Sequence, residues 1–208
     1  MLKLYWADDS GALAPQILLE EAGVKYERIE IDLEAGAENS EEYLSINPRG
    51  QVPALILDDG SIMTESAAIV LHIADTFPEA KLIPAVGSTQ RAKVYRWLIY
   101  SVANIYETVL RLYYTDRYTP DADQIEPLKT IARADIDRAW SLLNAELDDG
   151  PFFLGQTYSI IDPYLVMLIN WHEEPEPLFN RHPKLETLYE AVKQRPATQR
   201  IWSQHFSD

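Results

Sequence analysis

The hydrophobic period of this chain changes once, between Phe77-Pro78 and Ile83-Pro84, and any fold it adopts must accommodate that change. Before the change, short apolar runs of strand length alternate with helical spacing. Lys3-Leu4-Tyr5-Trp6 reads as a strand, and Asp8-Asp9-Ser10-Gly11 supplies turn and capping chemistry for a helix from Leu13 to Ala22, which Gly23 stops. In Tyr26 to Leu33, Ile29, Ile31 and Leu33 alternate with Glu30 and Asp32, the period of a half-buried strand. Together these segments predict a βαβ unit with a right-handed crossover. After the acidic, irregular stretch Glu34 to Asn47, the runs Ala54-Leu55-Ile56-Leu57 and Ser61-Ile62-Met63 flank Asp58-Asp59-Gly60 and predict a hairpin. A helix from Ser66 to Thr76 follows, with Ile69, Ile73 and Phe77 at i, i+4 and i+8.

Beyond Pro84 the pattern is helical throughout: Thr89 to Arg117, Ile125 to Leu147, Ser159 to His172, Lys184 to Arg195 and a shorter segment after Pro196. The order β-α-β then β-β-α is that of a thioredoxin-like α/β domain. The predicted organisation is such a domain over residues 1–77, a linker over 78–87 and an all-α domain over 88–208. Inside the latter, Ser159-Ile160-Ile161-Asp162 predicts a capping box, Ser159 bonding the Asp162 amide while the Asp162 carboxylate reaches back.

Charge and composition narrow the function classes. Eighteen Lys and Arg against 33 Asp and Glu give a net charge of −15, which repels nucleic-acid phosphates and anionic lipid. No apolar run approaches the ~20 residues of a membrane span, and the start Met1-Leu2-Lys3-Leu4-Tyr5 lacks the pattern of a secretory signal, so the cytoplasm is expected. With no cysteine, any thiol chemistry must use sulfur brought by a ligand. His72, His172, His182 and His205 show no metal-binding spacing, and no metal is expected.

Three segments in order, Asn47-Pro48-Arg49-Gly50-Gln51-Val52-Pro53-Ala54-Leu55, Glu65-Ser66-Ala67-Ala68-Ile69 and Ser159-x-x-Asp162, resemble the cytosolic glutathione transferases over the whole chain. Leu13-Ala14-Pro15 and Trp97-Leu98 are similar to bacterial members, nearest to the beta type. The resemblance implies glutathione as co-substrate. It implies a cis peptide at Val52-Pro53 that turns the Val52 main chain outward to pair with the cysteinyl part of the ligand, as an added strand does. Ser66, at a helix start, would receive the γ-glutamyl carboxylate, and Glu65 would face the ligand ammonium. Where relatives place a basic residue for the glycyl carboxylate, the stretch Glu34 to Asn47 has none, leaving Gln51 or Arg49 to serve.

A transferase stabilises the glutathione thiolate with a hydrogen-bond donor. The position near Gly11 that holds a cysteine in the beta type has none here. Three sources of a donor remain: Ser10, at the place of the catalytic hydroxyl in serine-type members; Tyr5, in the first strand; and the backbone amides before the first helix. Ser10 is favoured. The adjacent Asp8-Asp9 pair would raise the thiol pKa if it faced the site.

Trp6, Tyr106, Tyr113 and Tyr114 are expected to line an electrophile site between the two domains. The implied activity is glutathione conjugation to hydrophobic electrophiles in a detoxifying role, with peroxidase or dehalogenase-like chemistry also compatible with a serine-type site. The alternatives are a glutathione-dependent isomerase, against which Asp9-Ser10-Gly11 argues, and a non-catalytic transferase-like regulator that binds protein. Relatives are usually homodimers that bury the helix from Thr89, and the same is expected here.

Overall fold

Alternation along β1 (Leu2–Trp6) turns Leu2, Leu4 and Trp6 to the inside, and the rest of the first sheet grows from that strand. The computed structural model describes residues 1–206. After β1 come α1 (Leu13–Glu21) and β2 (Tyr26–Glu30), which pairs parallel with β1 in the register Leu4↔Arg28, so the predicted βαβ unit is present. A short α2 (Glu41–Leu44) precedes β3 (Ala54–Ile56), antiparallel to β1, and β4 (Ile62–Thr64), antiparallel to β3. The sheet order is β2-β1-β3-β4. The hairpin is closed by Asp59, whose carboxylate accepts from the Ser61 amide at 2.9 Å. Next, α3 (Ser66–Thr76) has the predicted bounds and buries Ile69, Val70 and Ile73.

Strand β2 stops short of the predicted Leu33. Asp32 Oδ1 takes the Ala35 amide at 2.9 Å and the Asp32 carbonyl takes that of Ala37, which turns the chain and leaves Leu33 exposed.

Two compact units emerge, one of Met1–Ile83 with the chain from Lys193 on, the other Pro84–Val192. The second unit contains α4 (Thr89–Tyr100), α5 (Glu107–Tyr113), α6 (Ile125–Ala145), α7 (Ile161–Asn170), α8 (Pro175–Arg181) and nearly all of α9 (Pro183–Lys193). The predicted single helix Thr89 to Arg117 is interrupted by a π-helical stretch, Ser101–Tyr106. Side chains compete there for the main-chain carbonyls: Ser101 Oγ donates to Trp97 O (2.8 Å), Asn104 Nδ2 to Tyr100 O (3.1 Å) and Thr108 Oγ1 to Asn104 O (2.8 Å). Thr115 Oγ1 then donates to Arg111 O at 2.7 Å where the helix ends. Helix α8 was not predicted; Pro175 opens it, where a missing N–H costs nothing.

The capping box at the start of α7 is half as expected. Asp162 does reach back, its Oδ2 accepting from the Ser159 amide at 2.7 Å, but the Ser159 hydroxyl donates to that carboxylate instead of accepting from the Asp162 amide. The Asp162 amide goes to the Ser159 carbonyl, and Oδ1 also takes the Phe153 amide at 2.7 Å.

The last helix, α10 (Pro196–His205), groups by its contacts with the first unit, although it lies within the expected 88–208 segment. Its stripe of Ala197, Thr198, Ile201 and His205 is buried, and two ion pairs, Arg195 with Glu21 (2.6 and 2.8 Å) and Arg200 with Glu20 (3.3 Å), tie it to α1. With α3 and α10 both against it, α1 is enclosed, and every residue from Leu13 to Leu19 is buried.

Candidate functional site

Strand register decides which loops of the first unit meet. Tyr5 of β1 stands opposite Ala54, the first residue of β3, and Ala54 stands opposite Thr64, the last of β4. The loop after Trp6, the turn before Ala54 and the step from Thr64 into α3 therefore lie at one end of the sheet. Ser10, Gln51-Val52-Pro53 and Glu65-Ser66 sit in those three connections.

The turn is built from the main chain outward. Gly50 takes φ 59°, a conformation side chains disfavour, and a Cβ there would make a tight 3.1 Å contact with the Glu38 carbonyl. The Gln51 carbonyl accepts two hydrogen bonds, from the Tyr43 hydroxyl (2.7 Å) and from Asn47 Nδ2 (2.6 Å). Burial pushes the Tyr43 phenol up to about 12, so it stays a donor at any physiological pH. Val52-Pro53 is cis, as the sequence resemblance implied. Tyr43 and Asn47, which hold this turn, were not singled out because their stretch reads as irregular; the signal was a lone aromatic among glutamates, buried beside the ring of Tyr5 at 5.5 Å.

Glu65 occupies φ 66°, ψ 105°, a conformation that costs a non-glycine residue of order 1–3 kcal/mol. It turns the chain from β4 directly into α3, whose first residue is the buried Ser66. The free amides of a helix's first turn and its dipole favour an anion there. Arg49 Nε donates to Gln51 Oε1 at 3.0 Å, and its guanidinium stands 4.0 Å from the Glu65 carboxylate. The two residues left to serve the glycyl carboxylate thus touch each other.

Ser10 is buried and its hydroxyl is doubly engaged, donating to Ala7 O at 2.7 Å and accepting from the Ala12 amide at 3.2 Å. The hydroxyl bridges the loop, and α1 begins after Ala12 without a side-chain cap of its own. Asp8 and Asp9 are both exposed. Tyr5 packs on Tyr43, on the side of the Gln51 carbonyl.

Trp6, expected at the electrophile site, is only 6% exposed and lies against the His205 ring at 4.9 Å with the Arg28 guanidinium 5.6 Å from its centroid. The inward phase of β1 turns it toward the core of its own unit. In the second unit Tyr106 and Tyr113 gather on Trp171, which sequence reasoning missed. Tyr106 meets the Trp171 ring edge-on at 5.1 Å, and the Tyr113 hydroxyl donates to the Trp171 carbonyl at 3.0 Å. Tyr114 carries the Arg117 guanidinium at 4.0 Å instead. A cavity of about 100 Å³ edged by Trp171, His172 and Leu112 is far below the roughly 300–1,000 Å³ of small-molecule pockets.

Comparison with known proteins agrees with this geometry. Residues 2–75 match the family described as glutathione S-transferase, N-terminal domain, and residues 103–196 match its C-terminal domain. The chain is 33% identical to glutathione S-transferase GstA of Escherichia coli O157:H7 over 82% of each. It is 27% identical to disulfide-bond oxidoreductase YfcG of Escherichia coli K12 over 95% of this chain and 93% of that one. A crystal structure of a glutathione transferase homolog from Sulfitobacter with bound glutathione covers 98% of each chain at 25% identity and a TM-score of 0.89. Sheet order, site loops and both matched domains lead to one conclusion: the chain belongs to the glutathione S-transferase family.

Proposed function

We propose that the protein is a glutathione transferase that joins the sulfur of glutathione to hydrophobic electrophiles, with Ser10 donating to the thiolate. The observation that supports this most is the meeting, at one end of the sheet, of the anchored Gln51-Val52 main chain, the start of α3 at Glu65-Ser66 and the loop bearing Ser10. In this reading Val52 and Pro53 present the main chain to the cysteinyl part, and Ser66 with the α3 amides takes the γ-glutamyl carboxylate. Glu65 faces the ammonium, and Arg49 with the Gln51 amide group takes the glycyl carboxylate. The Ser10 hydroxyl rotates its proton from Ala7 O toward the sulfur, while the Ala12 amide continues to hold its oxygen. The thiolate attacks the electrophilic carbon, a C–S bond forms, the leaving group departs with its electron pair and the thiol proton passes to solvent. With a hydroperoxide, two glutathione thiols supply two electrons and yield alcohol, water and the disulfide. Tyr106, Tyr113 and Tyr114 contribute aromatic surface for the electrophile.

Calorimetric titration with glutathione, followed by turnover of an aryl chloride and an organic hydroperoxide, tests this; absence of glutathione binding overturns it. Ser10→Ala should raise the pKa of the bound thiol by about one unit and lower kcat about tenfold, with KM little changed. A second reading rests on the relative named disulfide-bond oxidoreductase YfcG: the glutathione thiolate attacks one sulfur of a disulfide substrate, forms a mixed disulfide and displaces the other sulfur as thiolate, and a second glutathione thiolate then releases the remaining thiol with formation of glutathione disulfide. Turnover of a mixed disulfide but not of the aryl chloride distinguishes it.

The protein is also proposed to be a cytoplasmic homodimer. No helix among the described residues is long and apolar enough to cross a membrane. Ile99 of α4 with Ile131 and Leu142 of α6 leave apolar surface exposed, which a second copy would cover. Sedimentation equilibrium measures it.

A further inference from the structure

The C-terminal helix reaches the Ser10 loop from both of its ends through one residue. His205 Nε2 bonds to Gln16 Oε1 in the first turn of α1, and the His205 ring lies 4.9 Å from that of Trp6, the last residue of β1. Both side chains are buried among groups of the same unit, and burial pushes the imidazole down to about 4, so the ring is neutral at pH 7 and donates from Nε2 to the amide oxygen. The contacts then close on themselves. From Gln16 the main-chain amide donates to Ala12 O (3.0 Å), the Ala12 amide to Ser10 Oγ (3.2 Å) and Ser10 Oγ to Ala7 O (2.7 Å). Ala7 is bonded to Trp6, whose ring returns to His205. Every link is local to the loop except the two made by His205.

The Arg195–Glu21 and Arg200–Glu20 pairs join the start and middle of α10 to the far turn of α1, at the end of that helix opposite the loop. Thr198 shares the buried stripe with His205 but has no side-chain partner among the described residues.

We infer that His205 is a positioning residue for Ser10: acting through Gln16 and Trp6, it holds the two ends of the β1–α1 loop at the separation at which the Ser10 hydroxyl bridges Ala7 and Ala12. The claim rests on Ser10 serving the glutathione thiol, but its structural half stands apart from that reading.

The test uses three full-length variants. His205→Phe keeps a ring on Trp6 and loses the bond to Gln16, His205→Gln keeps a donor for Gln16 and loses the ring, and Thr198→Val is the control on the same stripe. Hydrogen exchange at the Ala12 and Leu13 amides should rise about tenfold in both His205 variants and stay unchanged in Thr198→Val. The bound thiol, titrated by its thiolate absorbance, should rise in pKa by about half a unit to one unit in the His205 variants, with kcat falling and KM unchanged. Equal exchange in all three variants, or no acceleration in the His205 pair, overturns the inference. If the wild-type protein binds no glutathione, the functional reading fails, and the exchange result alone still decides whether His205 holds the loop.

Discussion

At the ligand end of the first unit the groups that matter are main-chain atoms held by buried partners, whereas the aromatic set of the second unit consists of side chains left partly in solvent. The carbonyl of the exposed Gln51 is fixed by the buried Tyr43 and Asn47, and the buried Ser10 is fixed by the buried Ala7 and Ala12. Tyr113 and Tyr114 are 51% and 44% exposed; the Tyr113 hydroxyl donates to the Trp171 carbonyl and Tyr114 carries the Arg117 guanidinium. Main chain pinned by buried partners is preorganised, whereas side chains left partly in solvent are not. The second unit has its own pinned main chain at Asp162, whose carboxylate holds the Phe153 and Ser159 amides.

The largest effect is expected from Asp162→Ala. The carboxylate is fully buried and accepts from the amides of Phe153 and Ser159 and from the Ser159 hydroxyl. Truncation strands two buried N–H groups, each costing about 1–3 kcal/mol, so urea unfolding should show a loss of about 3 kcal/mol or more. Glutathione affinity measured in the folded fraction should be unchanged, because no ligand contact is assigned to the second unit's capping network. A loss below about 1 kcal/mol would show that the network is not what stabilises the start of α7.

The next effect belongs to the first unit and depends on pH. The folded-state pKa of His205 is depressed to about 4, against the usual 6.5. Between those values the unfolded chain binds more protons than the folded one, so stability rises with pH, is fully present above about 6.5 and is lost as pH falls toward 4. The loss from this residue is up to about 3 kcal/mol. His172 and His182 are also lowered, chiefly by burial, and add to the same trend from the second unit. Unfolding free energies at pH 7 and 4.5 should therefore converge in His205→Phe by the His205 share and keep the remainder.

What could be foreseen follows the same division. The βαβ and hairpin pattern, the bounds of α3 and the turn at Gln51 were legible because each depends on neighbours in sequence: a period of two, a Gly at positive φ, a helix start. The contact of Trp6 with His205 joins residues almost two hundred apart, and the return of α10 to α1 is set by Arg195–Glu21 and Arg200–Glu20, pairs that no local pattern reveals. The π-helical stretch was hidden for a different reason. Ser101, Asn104 and Thr108 are compatible with an ordinary helix: their bonds to carbonyls four residues back recur at Thr130 and Ser141 of the regular α6, so no local side-chain pattern marks the widened turn.

A smaller effect separates the two kinds of contact inside the ligand end itself. Tyr43→Phe removes one of two donors from the Gln51 carbonyl and leaves Asn47 Nδ2 in place. One neutral hydrogen bond contributes about 1 kcal/mol, so glutathione affinity should fall roughly fivefold by calorimetry. By contrast, the Arg49–Glu65 pair is 4.0 Å long with both side chains about two-thirds exposed (68% and 65%), and breaking it should change protein stability by no more than a few tenths of a kcal/mol. If Tyr43→Phe left affinity unchanged, the distinction between pinned main chain and solvated side chains would lose its basis.

The smallest effect concerns Asp8 and Asp9, which stand one and two residues from Ser10 with both side chains exposed. Two residues span at most about 7 Å of chain, and at that distance in water each carboxylate repels a thiolate by about 0.6 kcal/mol before screening. Salt near 0.15 M, with a Debye length of about 8 Å, removes more than half of it. Replacing both by Asn should thus lower the pKa of bound glutathione by a few tenths at moderate salt, more at low salt, and not measurably near 1 M. A fall of more than one unit would mean that a carboxylate turns into the site when glutathione binds, and an unchanged value at low salt would mean that the loop held by Ser10 and His205 keeps both charges directed away from the sulfur.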